Sequence, residues 1–233
     1  MINSISPPMQ HLFVDADDTL WENNIYFERA FDEFAEFLDH SWLSHEEIRA
    51  IFNEFEHAAV VNKRYGSAAF TESMKACYRH LSEREIDPRD IQTLVKLGAR
   101  IVEQEIVLLP GVEETLRELS PRHQLILYTK GNTEEQQLKI DRSGLAAYFD
   151  YTLIVPEKDV DSYRSAIAEL GLIIEHAWMI GNSPRSDINP ALAAGLGAVH
   201  IPHARTWALE HQEINLGDRF LTLPRFADLL LHF

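Results

Sequence analysis

Four polar segments in this chain of 233 residues hold side chains that can do chemistry together. The apolar run Leu12, Phe13, Val14 breaks into Asp15, Asp17 and Asp18, with Thr19 beside them. A second apolar run, beginning at Gln124, ends in Thr129, Lys130 and Gly131. Lys158 follows a third, and a fourth ends in Gly181, Asn182 and Ser183, with Asp187 just beyond. Carboxylate oxygen suits a hard divalent cation such as Mg²⁺, and an ammonium with a hydroxyl suits phosphate oxygens. The residue types therefore point to a site for a metal and a phosphoryl group.

Such a site requires elements that bring four distant segments to one edge. Apolar strand candidates lie at 12–14, 124–129, 151–155, 177–180, 198–201 and 220–223, after a tail carrying Pro7 and Pro8. From residue 108 onward they alternate with helical patterns at 112–119, 133–143, 162–170 and 188–194, which is the signature of βαβ units and a largely parallel sheet. Gly144, Gly171 and Gly195 stand where left-handed residues close helices. In a parallel sheet the strand ends converge on a crevice where ligands bind, so the polar ends share an edge. Between the first strand and the rest, the period changes to that of helices. Phe27, Phe31, Phe34, Ala35 and Leu38 share one face. Ser44 and Glu47 make a capping box, Phe70, Met74, Cys77, Tyr78 and Leu81 form another stripe, and Asp87-Pro88 opens a helix through Ile91, Leu94, Val95 and Val102. The expected organisation is an α/β core of residues 1–22 and 106–233, interrupted by a helical insertion at 23–105, with connections near 21–24 and 105–110.

Asp15-Ala16-Asp17-Asp18-Thr19-Leu20, Thr129, Lys158 and Gly181-Asn182-Ser183-Pro184-Arg185-Ser186-Asp187 resemble the four ordered motifs of the haloacid dehalogenase (HAD) superfamily. The likeness covers nearly the whole chain. The insertion resembles that superfamily's helical C1 cap, and Leu109-Pro110-Gly111-Val112 resembles its return into a Rossmannoid core. The resemblance implies that Asp15 is a nucleophile forming an aspartyl-phosphate and that Asp17 is the general acid and base. It implies that Thr19 orients Asp17 or caps the loop. Thr129, Lys130, Gly131 and Lys158 would bind the phosphoryl group, Lys158 also neutralising Asp15. Mg²⁺ would be held by Asp15, the backbone carbonyl of Asp17, Asn182 and Asp187. Asn182 departs from the commoner aspartate of the fourth motif, which implies weaker metal binding.

The activity so implied is hydrolysis of a small phosphorylated metabolite. A 2-haloacid dehalogenase or a phosphomutase of the same fold and a receiver-like signalling module are the alternatives. Asp17 speaks against a dehalogenase, because displacing halide from carbon needs no proton on the leaving group. A receiver is roughly half this length and has no helical insertion. Lys plus Arg number 21 against 37 Asp plus Glu, a formal charge of −16, which repels nucleic acid and anionic membrane surfaces. A single cysteine, Cys77, leaves no intrachain disulfide. No run approaches the roughly 18 to 20 apolar residues that span a bilayer, and the first residues lack the basic and apolar regions of a signal peptide. A cytoplasmic monomer or homodimer is expected. The histidines, His200, His203 and His211 among them, show no metal-ligand spacing and read as surface or packing residues. Trp21, Asn23 and Asn24, which follow the nucleophile loop, are candidates for substrate contact.

Overall fold

The computed structural model describes residues 9–62 and 64–233; the tail with Pro7 and Pro8 lies outside them. The chain divides into two compact units, one made of the described residues up to Glu22 with Ile106–Phe233, the other of Asn23–Glu105.

The first unit is an α/β core. Strands β1 (His11–Val14), β2 (Gln124–Lys130), β3 (Tyr151–Val155), β4 (Ala177–Gly181), β5 (Gly197–His200) and β6 (Phe220–Thr222) form one sheet in the order β3-β2-β1-β4-β5-β6. Every pairing is parallel. β1 suits the central place because all four of its residues are buried and three of them, Leu12, Phe13 and Val14, are apolar, as strands covered on both faces in parallel sheets require. Leu12, Val14, Leu125 and Leu127 pack on one side with Val112, Leu116 and Ile140. Phe13, Ile126, Tyr128 and Met179 pack on the other with Tyr163, Ala166 and Ala191.

The second unit, among the described residues, is helical: α1 (Asn24–Leu38), α2 (His45–Val61), α3 (Gly66–Leu81) and α4 (Pro88–Glu103). Its core gathers Phe31, Phe34, Phe52, Phe70, Met74, Cys77, Tyr78 and Leu94. Ser44 closes a capping box with Glu47, and Asp87 closes one with Asp90 ahead of Pro88. In α4 the buried face is Leu94, Leu97, Gly98 and Ile101. Val95, expected on that face, is exposed instead, because it is one residue, about 100°, around the helix from Leu94.

The first unit's remaining helices are α5 (Val112–Leu119), α6 (Thr133–Ser143), α7 (Val160–Glu169) and α8 (Asn189–Ala194). Gly144, Gly171 and Gly195 close helices with φ of 72°, 62° and 104°. The helical pattern at 188–194 is preceded by a wide π-type turn at Pro184–Ile188 that periodicity does not reveal. No helix among the described residues is long and apolar enough to cross a membrane.

Candidate active site

β1 stands where the strand order reverses, between β2 and β4, and ligands of open parallel sheets bind outside the carboxyl ends at such a point. Asp15 extends β1 by one step, its N–H donating to the Ile180 carbonyl at 2.9 Å. The turn beyond it is tight: Ala16 O accepts from the N–H groups of Thr19, Leu20 and Trp21, and Asp18 takes the left-handed conformation with φ 59°, which Asp tolerates better than most residues.

Three of the residues singled out in the sequence meet around one buried ammonium. Lys158 Nζ donates to Asp15 Oδ1 at 2.5 Å and to Asp187 Oδ1 at 2.7 Å. The Tyr128 ring lies 5.6 Å from the same nitrogen. Lys158 is placed by the residue after it, since Asp159 caps α7 through a box with Ser162. Asp187 is placed by the π-type turn: its Oδ2 accepts from Ser183 N–H at 2.9 Å. Gly181 makes the room, because a Cβ there would stand 2.2 Å from Asp187 Oδ2. Burial and the neighbouring Asp187 charge, opposed by Lys158, push the Asp15 pKa up to about 7. Burial works against the charge of Lys158, but the two carboxylates outweigh it and hold the ammonium above its ordinary range. Two carboxylates sharing one cation leave net negative charge in a dry place, which favours a further positive charge there.

Thr19 serves Asp15 rather than Asp17. Its hydroxyl donates to Asp15 Oδ2 at 2.9 Å, with Asn182 Oδ1 at 3.3 Å as a second acceptor, because the turn folds its side chain back over the strand end. Asn182 Nδ2 donates to Thr206 Oγ1 at 2.9 Å, which turns the amide oxygen toward Thr19. Asp17 is held by residues that motif reading did not name. Trp21 Nε1 donates to Oδ1 at 2.8 Å, Gln136 Nε2 to Oδ2 at 3.2 Å, and Lys139 Nζ reaches the two oxygens at 2.7 and 2.6 Å. Gln136 also donates to Thr129 Oγ1 at 2.6 Å, so the hydroxyl hydrogen of Thr129 remains a donor. Gln136 and Lys139 are three residues apart on α6, the spacing of one helix face, and α6 begins directly after the Thr129 loop. Those two facts were available in the sequence.

Trp21 is fully buried, so the substrate contact expected of it is replaced by core packing and its hydrogen bond to Asp17. Asn24 is buried and Asn23 precedes α1 without a side-chain cap bond. Lys130 does not join the Lys158 cluster: its ammonium meets Ser186 Oγ and Glu210 Oε1, each at 2.6 Å, with Glu157 at 3.6 Å. Gly131 has φ 141°, with Gln136 packed where a Cβ would go. His200 Nε2 lies 3.1 Å from the Asn182 carbonyl and so carries the proton there. His203 is partly buried. Its Nδ1 is 3.8 Å from Asp18 Oδ1 and its Nε2 is 3.5 Å from Glu22 Oε2, an oxygen that is buried without a hydrogen bond.

Asp15, Asp187, the Asn182 amide and the Asp17 carbonyl, which the resemblance assigns to a metal, offer only oxygen donors, a chemistry that fits Mg²⁺ rather than a soft metal. The grouping of Asp18, Glu22 and His203, whose donor atoms lie within 4.8 Å of one another, includes none of these residues.

A switch point in a parallel sheet, a buried carboxylate just beyond the central strand and a lysine joining it to a second carboxylate place the chain among α/β proteins with a candidate site at that edge. Residues 9–195 match the model of the haloacid dehalogenase-like hydrolases, and the chain belongs to that family. A phosphoserine phosphatase from Thermus thermophilus is 33% identical over 100 residues, a match covering 40% of this chain and 40% of that protein's length. The crystal structure of a haloacid dehalogenase-like family hydrolase from Xanthomonas campestris superposes with a TM-score of 0.80 at 29% identity, over 97% of this chain and 94% of the other. An L-2-haloacid dehalogenase from Xanthobacter autotrophicus, solved with chloropropionic acid covalently bound, gives 0.65 at 15% identity over 95% and 96% of the two chains, a likeness of fold alone.

Proposed function

We propose that this hydrolase is a Mg²⁺-dependent phosphatase acting on a small phosphorylated metabolite through an aspartyl-phosphate on Asp15. The observation that carries the reading is the second carboxylate, Asp17, fixed two residues beyond Asp15 by Trp21, Gln136 and Lys139. Attack on phosphorus expels an alkoxide that needs a proton, and the acyl phosphate then needs a base to activate water. Asp15 forms the bond to phosphorus, Asp17 gives the proton and takes it back from water, and Thr129 donates to a phosphoryl oxygen. Lys158 holds Asp15 in line and balances charge. A Mg²⁺ ion held by Asp15, the Asp17 carbonyl, Asn182 and Asp187 would offset repulsion between the anionic nucleophile and an anionic substrate. The helical unit Asn23–Glu105 is assigned the part of a cap that excludes water from the acyl phosphate.

One observation favours a second reading. Lys158 already pairs with both Asp15 and Asp187, and a nucleophile whose charge is offset by a lysine also suits attack on carbon without a metal, as in a 2-haloacid dehalogenase. A panel of phosphomonoesters and 2-haloacids, each with Mg²⁺ and with EDTA, separates the readings. Release of inorganic phosphate that needs Mg²⁺ and disappears in Asp15→Asn is the expected result. Release of halide unaffected by EDTA would replace the phosphatase reading with the dehalogenase one, and isomerisation of a sugar phosphate without phosphate release would replace it with a phosphomutase.

A further inference from the structure

We propose that Glu210 is a positioning residue for the reaction centre, acting through the turn that carries Asp187 and the strand end that carries Thr129. Glu210 lies in the short helical turn Ala208–Glu210 between β5 and β6, far in sequence from every motif. Its carboxylate is buried, at 7% exposure, where an unpaired charge would be strongly disfavoured. Both oxygens are satisfied, and the donors come from two strand ends. Oε1 accepts from Lys130 Nζ at 2.6 Å, at the end of β2 next to Thr129. Oε2 accepts from Ser183 Oγ and Ser186 Oγ, each at 2.5 Å, in the turn after β4. Lys130 closes the ring by donating to Ser186 Oγ at 2.6 Å. The same turn is tied from below by Ser186 N–H on Ser183 Oγ at 2.9 Å and by Tyr163 O–H on the Ser186 carbonyl at 3.0 Å.

The consequence reaches Asp187 through its neighbours. Ser183 supplies the N–H that holds Asp187 Oδ2, and Ser186 directly precedes Asp187 in the chain. Burial would raise the Glu210 pKa, but Lys130 and the three hydrogen bonds outweigh it and hold the carboxyl down at about 2, so the charged form is favoured at neutral pH. A carboxylate that crosslinks two strand ends limits how far Asp187 and Thr129 can drift apart. Small displacements of such groups cost rate more than binding. Glu210 does not touch the reacting atoms.

The proposal rests on the roles given above to Asp187 and Thr129, and its test keeps the two apart. Glu210→Gln retains shape and removes the charge. Ser183→Ala/Ser186→Ala removes the donors, leaves Glu210 on Lys130, and serves if the first variant does not fold. Hydrogen–deuterium exchange of residues 181–189, with 66–81 as internal reference, is read alongside kcat and KM for p-nitrophenyl phosphate with Mg²⁺. Exchange in 181–189 is expected to quicken at least tenfold, and kcat to fall at least tenfold with KM within twofold of the parent. A lowered melting temperature with unchanged kcat, or unchanged exchange, overturns the proposal. If the parent hydrolyses neither this ester nor any phosphomonoester of the panel, the phosphatase reading fails, and exchange alone decides: faster supports the positioning role, unchanged overturns it.

Discussion

Lys139, Gln136 and Trp21 between them occupy both oxygens of Asp17, while a general acid must carry a proton on one of them. Protonation therefore has to displace a donor, which makes the acid step sensitive to how much proton the leaving group demands. Asp17→Asn is expected to slow phosphorylation by an alkyl phosphate at least tenfold more than by p-nitrophenyl phosphate in single-turnover measurements; equal losses would remove Asp17 from the acid role. Cys77 offers a residue-scale test of the helical core. Burial pushes its thiol up to about 12 from an ordinary 9.0, so the native protein holds the proton where the unfolded chain releases it. Stability contributed by the neutral thiol is full below pH 9 and is lost as pH rises from about 9 to 12. Ellman's reagent at pH 8 is expected to leave Cys77 unmodified in the native protein and to modify it in urea. Fast native reaction would mean that the helical unit opens.

At the scale of elements, α3 and α4 approach each other closely because Gly98 has no side chain. A Cβ at residue 98 would stand 1.7 Å from Thr71 Oγ1 and 3.0 Å from Thr71 Cβ. Thr71 cannot swing away freely, since it is buried and its hydroxyl donates to the Ser67 carbonyl at 2.7 Å. Alanine is the better helix former by roughly 1 kcal/mol, yet overpacking costs about 1 to 3 kcal/mol. Gly98→Ala is thus expected to lower stability in urea titrations by up to about 2 kcal/mol, and Thr71→Ala added to it should restore most of the loss. A stabilising Gly98→Ala would show that the two helices are free to separate. Gly181 plays the corresponding part in the site, where the missing side chain is the space that Asp187 fills.

For the molecule as a whole, the two chain crossings between the units lie side by side. Glu22 N–H donates to the Val107 carbonyl and Leu109 N–H to the Leu20 carbonyl, both at 2.9 Å, with a bridge between Trp21 and Leu108. The α/β unit thus brings the ends of the insertion together by its own hydrogen bonds. Replacing residues 23–105 by about five Gly and Ser residues should cost little in loop closure, which grows only as the logarithm of loop length. The shortened chain is expected to be monodisperse, to show an α/β circular dichroism spectrum and to melt cooperatively. An aggregated or non-cooperative product would mean that the sheet needs the helical unit to fold.

The order of strands and helices, the Ser44–Glu47 capping box, the Asp87 cap and the candidacy of Asp15, Lys158 and Asp187 were legible in the sequence. Each depends on local chemistry: period 2 or 3.6, a cap three residues from its partner, or a polar residue where an apolar strand stops. The partners of those residues were not legible. Thr19 turning to Asp15 is decided by the backbone path of the turn after β1, and Lys139 reaching Asp17 and Lys130 withdrawing to Glu210 by which strand ends lie next to which. Gly181 looks like any strand-end glycine until the π-type turn swings Asp187 over it. Periodicity records which side of an element meets the core, whereas a hydrogen bond across the carboxyl edge, such as that from Lys158 to Asp15, 143 residues apart, exists only once the parallel strands are in register.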